Sequence, residues 1–199
     1  DINTSDPIET RKRKLFMRGI QFSVIALAAC ISITTAYAGN PSKAGDITGR
    51  SLAVTGLGSI GHIGTWNGSQ VVEVLNESRV IQFNTLTKFK NSSSYWGARG
   101  NANFANPSSI NVVANTQSQY SPSYTLVPLH TKIGRIEQQC TKRNMMGQCV
   151  TYSNVRVNAV FRCDTFVNYI YQATGNGSLS SLNVIYPFIA YSNAKIERT

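Results

Sequence analysis

One stretch narrows the possibilities more than any other: Gly61-His62-Ile63-Gly64-Thr65-Trp66-Asn67-Gly68-Ser69-Gln70-Val71-Val72-Glu73-Val74. Asn-Gly between two runs rich in Val and Ile is a strong hairpin signal, because both residues tolerate the positive φ that the favoured two-residue turns require. A chain with this segment builds an antiparallel pair, and such a pair needs further partners to be stable. With residues 67 and 68 as the turn, Trp66 faces Ser69 and His62 lies directly opposite Glu73. Opposed residues share a face, with Cβ atoms roughly 5 Å apart. A carboxylate so placed holds an imidazole in one tautomer and orientation, as a general base requires. A three-residue turn would put Val74 opposite His62 instead. The bland alternative is a histidine hydrogen-bonded at a strand edge. On an exposed hairpin face the pair contributes only ~0.2–1 kcal/mol to folding, so Glu73 is expected to matter more for rate than for stability.

The second informative segment is Phe161-Arg162-Cys163-Asp164-Thr165-Phe166-Val167-Asn168-Tyr169. Phe166, Val167, Ile170 and Tyr171 make one apolar stripe, which predicts a helix over residues 163–174, with Gly175 suited to its C-terminal cap. Cys163 falls in the first turn, where unpaired N–H groups and the positive end of the helix dipole stabilise a thiolate and so bring the pKa below that of free cysteine; Arg162 adds to this. The same N–H groups suit an oxyanion. The alternative is a buried, inert cysteine. Short β segments are expected over residues 46–47, 61–66, 70–75 and 79–83, one helical turn within 84–90, loops with short strands over 91–125, and a strand over 150–161. Together these predict an α+β domain: a small antiparallel sheet packed against the helix that begins at Cys163.

Residues 1–38 read as an address label. Arg11, Lys12, Arg13, Lys14 and Arg18 precede an uncharged run over 20–33, and Ala36-Tyr37-Ala38 then offers a small-x-small cleavage site before Gly39. That order describes a secretory signal peptide, with Met17 as an alternative start. The apolar run is short against the ~20 residues of a membrane-spanning helix. Leu27-Ala28-Ala29-Cys30 offers a lipoprotein reading through Cys30, and an uncleaved anchor is a third. Residues 39–199 then form a single domain with 14 basic and 6 acidic side chains. It keeps Cys140, Cys149 and Cys163. Cys140 and Cys149 bracket a polar, Gly-containing stretch suited to a hairpin, so they are expected to pair, leaving Cys163 as the free thiol.

At this point the residues resemble a known family. Arg162-Cys163-Asp164-Thr165-Phe166-Val167 is similar to the cysteine motif of the NlpC-type cell-wall peptidases. Gly61-His62-Ile63-Gly64-Thr65-Trp66 with Val71-Val72-Glu73-Val74 is similar to their His-Val-Gly-Ile-Tyr hairpin, and Ala44-Gly45-Asp46-Ile47 to their Pro-Gly-Asp-Leu strand. Here histidine precedes cysteine, which matches the circularly permuted branch that includes the lecithin retinol acyltransferase-like proteins. The resemblance covers about 50 residues. It implies a permuted papain-like fold and a thiol hydrolase with Cys163 as nucleophile, His62 as base and Glu73 orienting it.

The expected protein is therefore an exported bacterial cysteine hydrolase, secreted or periplasmic, cleaving an amide in cell-wall peptide. Lipid acyl transfer or ester hydrolysis at the same site is the first rival, and a non-enzymatic secreted binding module the second. Trp96 and Arg99, in Tyr95-Trp96-Gly97-Ala98-Arg99, are candidate substrate contacts. The net charge of +10 favours anionic partners: peptidoglycan or other envelope material, with peripheral membrane contact. Nucleic acid is not expected, because the basic residues are scattered without interleaved aromatics. No ligand spacing calls for a metal, and Gly56-Leu57-Gly58-Ser59-Ile60-Gly61 leads into a strand rather than a helix, so neither cofactor nor nucleotide is expected. A monomer suffices.

Overall fold

A computed structural model describes residues 38–54, 58–59, 61–101, 103–179 and 186–198. The leader expected over residues 1–38, with the candidate lipidation site at Cys30, lies outside them apart from Ala38. In chain order the elements are β1 (Ile47–Arg50), β2 (Ala53–Val54), β3 (Gly58–Ser59), β4 (His62–Trp66), β5 (Val71–Val74), β6 (Ile81–Asn84), α1 (Leu86–Asn91), β7 (Tyr95–Gly100), α2 (Ser109–Ser118) and β8 (Ser123–Tyr124). A 3-10 turn at Pro128–His130 follows. The chain continues with β9 (Arg135–Arg143), β10 (Cys149–Val157), β11 (Val160–Phe161), α3 (Cys163–Ala173), α4 (Pro187–Asn193) and β12 (Ile196–Glu197).

The class is mixed α+β. Six antiparallel strands form the main sheet in the order β12-β7-β1-β4-β5-β6. Helix α3 packs across β4 and β5, and α4 across β1 and β4. The apolar stripe expected on α3 is its buried face: Phe166, Val167, Ile170 and Tyr171 are all fully buried. Val167 and Tyr171 meet Ile47 and Ile63 of the sheet, while Phe166 and Ile170 meet Val72, Val74 and Ile81. The helix ends as its sequence predicts. Gly175 adopts φ +84°, and Asn176 N–H donates back to the Tyr171 carbonyl at 2.8 Å.

The hairpin register differs from the expected one. Residues 67–70 form a four-residue turn, with Trp66 paired to Val71 and Thr65 to Val72, so Trp66 does not face Ser69. The cause is local. A two-residue type I′ turn needs positive φ at both central positions, and Gly68 has it (φ +108°) while Asn67 does not. Instead Asn67 Oδ1 accepts the N–H groups of Ser69 (2.9 Å) and Gln70 (2.7 Å), which draws two more residues into the turn. The change in loop length is even, so every side chain keeps its face; an odd change would have flipped them all.

Residues 91–125 are more ordered than expected. They hold β7, an interior strand of the sheet, and the ten-residue helix α2. Helix α2 buries only Ile110, Ala114 and Gln117, with Val112 exposed, so its apolar signal is thin. Strands β9 and β10 form a separate long hairpin, exposed along nearly its whole length and stapled by the expected Cys140–Cys149 disulfide. No helix among the described residues is long and apolar enough to cross a membrane.

Candidate active site

The site begins with strand alternation. Arg50 of β1 pairs directly with His62 of β4, and Val71 of β5 with Asn84 of β6. Arg50, His62, Glu73 and Asn84 thereby form one polar row across four adjacent strands, and all four are buried. In the observed register Gly64, not His62, stands across from Glu73, and His62 reaches the carboxylate diagonally. Gly64 leaves room for this. A Cβ there would lie 2.4 Å from Val71 Cγ1 and 3.2 Å from Glu73 Cβ. Gly64→Ala is therefore expected to cost roughly 1–3 kcal/mol through overpacking and to loosen the His62–Glu73 contact. Thermal melts, together with the rate of Cys163 alkylation, measure both effects.

His62 Nε2 lies 2.7 Å from Glu73 Oε2. The same carboxylate oxygen accepts from Arg50 Nη2 at 3.2 Å, and Oε1 accepts from Asn84 Nδ2 at 2.7 Å. From helix α1, the Phe89 ring covers the row, 5.9 Å from the imidazole and 4.8 Å from the Arg50 guanidinium carbon. Glu73 is thus a buried hub and not a residue on an exposed hairpin face. The exposed hairpin face expected for the pair is corrected, since Glu73 is only 1% exposed.

Cys163 is the first residue of α3, a free thiol with 1% of its surface exposed. Arg162 N–H donates to Thr165 Oγ1 at 3.0 Å, which fixes the helix start. The thiol acts directly on the imidazole. Burial alone would lower the His62 pKa; the Cys163 charge and hydrogen bond, then the Glu73 hydrogen bond and charge, outweigh it and raise the value to about 9. With Nε2 held by Glu73, Nδ1 is the nitrogen left for Cys163, and among the described residues it has no partner at standard hydrogen-bond geometry. The thiol is therefore near enough to shift the imidazole without closing a hydrogen bond of standard geometry on it. Burial pushes Glu73 up, but the hydrogen bond and charge of His62, the Asn84 hydrogen bond and the Arg50 charge hold it below the ordinary carboxylate range.

Arg162 attracts the Cys163 charge, as expected, and has a second partner that the sequence did not suggest. Its guanidinium binds Asp164 through two contacts, at 2.6 and 2.5 Å, and donates to the Leu126 carbonyl at 3.2 Å. Asp164 therefore shares the Arg162 charge with Cys163. The contact to Leu126 draws in the segment after β8, whose Tyr124 pairs with Phe161 of β11. Burial and the Cys163 charge push the Tyr124 hydroxyl up, with Arg162 opposing and Asp164 adding, so it stays a neutral donor beside the thiol. Tyr124, Leu126, Leu52, Val74 and Leu75 join His62, Asn76 and Glu77 in lining a cleft of about 260 Å³. A larger open depression of about 1140 Å³, lined by Asn101, Tyr171 and Lys195 among others, contains none of the His62, Glu73 and Cys163 set.

Trp96 and Arg99 are not brought to this cleft. Trp96 packs edge-on against Phe188 and Tyr191 and donates to Ser51 Oγ at 3.2 Å. Arg99 lies 3.6 Å from Glu197 and over the Tyr191 ring. Arg50, Asn84 and Tyr124 were missed by the sequence reasoning. Nothing local marks them, since each is recruited across strands or through a segment read as loop. Among the described residues no three His, Cys, Asp or Glu side chains cluster to hold a metal ion. No protein-family model, curated protein or solved structure matches the chain. A buried thiol at a helix start, beside an imidazole anchored by a buried carboxylate, therefore carries the functional argument by its own chemistry.

Proposed function

We propose that this chain is an exported thiol hydrolase of permuted papain-like architecture, cleaving an amide in cell-wall peptide. The observation that carries the reading is the meeting of Cys163, on the first turn of α3, with His62, whose far nitrogen is anchored 2.7 Å from Glu73. The Cys163 sulfur attacks the carbonyl carbon, and N–H groups of the α3 first turn receive the oxyanion. His62 protonates the leaving nitrogen as the C–N bond breaks. Water then attacks the thioester carbon, His62 takes its proton, and the C–S bond breaks to restore the thiol–imidazole pair. Glu73 keeps the ring aimed and balances its charge.

The second reading, hydrolysis or transfer of a lipid acyl group, is favoured by the walls of the adjacent cleft. Leu52, Leu75 and Leu126 offer apolar surface to an aliphatic chain. A thiol-directed electrophilic probe with mass-spectrometric mapping tests the shared chemistry. Cys163 is expected to label fast and His62→Ala to slow it strongly, with Cys140 and Cys149 protected by their disulfide. An inert Cys163 at every pH would return the chain to a non-enzymatic binding module. Turnover of peptidoglycan peptides against acyl esters then separates the two substrates.

A further inference from the structure

The β9–β10 hairpin has no role in the site, yet it is built with care. Nine residues per strand reach roughly 30 Å. The two strands pair with each other and, among the described residues, pack closely against no other helix or strand. The arm is fastened at its base. Arg156 contacts the Gln119 carbonyl and lies over the Tyr120 ring, and the neighbouring Gly134 N–H donates to Gln117 Oε1 at 2.7 Å. Near the far end the Cys140–Cys149 disulfide clamps the strands.

The turn beyond the disulfide is rigid. Asn144 Oδ1 accepts the N–H groups of Met146 and Gln148, both at 3.0 Å, and Arg143 Nη1 donates to the Gly147 carbonyl at 2.8 Å. This frame presents Met145 and Met146 outward, 106% and 80% exposed. They are flanked by Lys142 and Arg143, and residues 138–157 contain no acidic side chain. Tyr152, on the arm behind them, is also exposed.

We propose that the tip of this arm docks on a lipid bilayer carrying anionic headgroups. Two apolar side chains held in water on a pre-formed turn have no use against a purely polar polymer, whereas the acyl boundary of a bilayer takes them up. Lys142 and Arg143 meet the headgroup charge, and Tyr152 is the amphipathic type that favours that interface. A second copy is a poor occupant, because two tips would oppose like charges. The inference is independent of the hydrolase reading: either stands if the other fails.

The test uses the intact chain with Met146→Trp, an exposed position where the new ring meets no packing. Its fluorescence is read as the difference from the wild-type chain, which contributes Trp66 and Trp96 to both. Vesicles are equal parts phosphatidylglycerol and phosphatidylcholine, with bromine on the acyl chains as quencher. The expected result is blue-shifted, bromine-quenched tip emission that weakens with salt and is absent on pure phosphatidylcholine. Adding K142Q and R143Q should raise the lipid concentration for half-quenching roughly tenfold or more, since each charge near an anionic surface counts for about a factor of five. Tip emission that stays water-like while the chain is bound to the vesicles, through any other segment, overturns the proposal. So does a response to a soluble polyanion or to purified peptidoglycan but not to vesicles.

Discussion

Cys163→Ala is expected to abolish covalent turnover and to lower the pKa of His62 from about 9 in the same molecule. The first effect needs no magnitude, because no other free cysteine is found among the described residues. His62→Ala is expected to cost nearly as much, since nucleophile and base act as a unit. The second effect is diagnostic. Burial favours the neutral ring, and the Cys163 charge and hydrogen bond lead the influences that overcome it, so removing the thiol leaves burial opposed by Glu73 alone. NMR titration of the His62 ring in the two proteins measures the change. Stability follows by linkage. A histidine with a raised folded pKa stabilises fully below its ordinary value of 6.5, and that contribution fades as pH rises through 9. The melting advantage of wild type over Cys163→Ala should therefore shrink across that interval. An equal His62 pKa in the two proteins would mean that the thiol and the imidazole are not coupled.

Glu73→Ala is expected to destabilise the fold by about 3–5 kcal/mol, and to slow turnover by roughly 10–10³ in the protein that remains folded. The stability loss comes from Arg50. Its guanidinium is buried with Glu73 Oε2 as its charged partner, and removing the carboxylate strands a cation in the interior. Glu73→Gln keeps the shape and loses the charge, so it should lie between. Because Glu73 is held below the ordinary carboxylate range, its contribution is full at neutral pH and is lost as pH falls through its lowered value. The discriminating variant is the double substitution R50M/E73Q. Replacing both members of a buried pair by neutral groups of similar size often restores stability. Melting temperature should recover while turnover stays low, which separates the carboxylate's structural work from its orientation of His62. Recovery of both would remove Glu73 from the site.

What could be read from the sequence was whatever a few neighbouring residues decide. Asn67-Gly68 announced a turn between strands, the stripe from Phe166 to Tyr171 announced α3, and Gly175 its end. The two residues proposed as nucleophile and base lie on these local signals. The His62–Glu73 contact was found from a register that proved two residues off, and it survived because pleating has a period of two. Arg50 and Asn84 were out of reach for a different reason. Each is ordinary in its own segment and becomes part of the row only when β1 and β6 add to the hairpin. Helix α2 and the β9–β10 arm were obscured by polarity: one buries three residues in ten, and the other buries almost nothing, so neither displays the alternation that sequence reading depends on.

The buried polar row has a property that its separate contacts do not express. Arg50 and Glu73 carry one charge of each sign. On the proposed reading, moving a proton from the Cys163 sulfur to the His62 nitrogen creates one charge of each sign, so the net charge of the set does not change. No ion has to enter or leave when the reactive form appears, and no counter-charge has to be drawn from solvent. Charge balance of this kind suits a site almost fully closed to water, and His62 and Cys163 are 1% exposed each. In that dry setting the attraction between thiolate and imidazolium, and of each for its fixed neighbours, is far stronger than the same charges would feel in water.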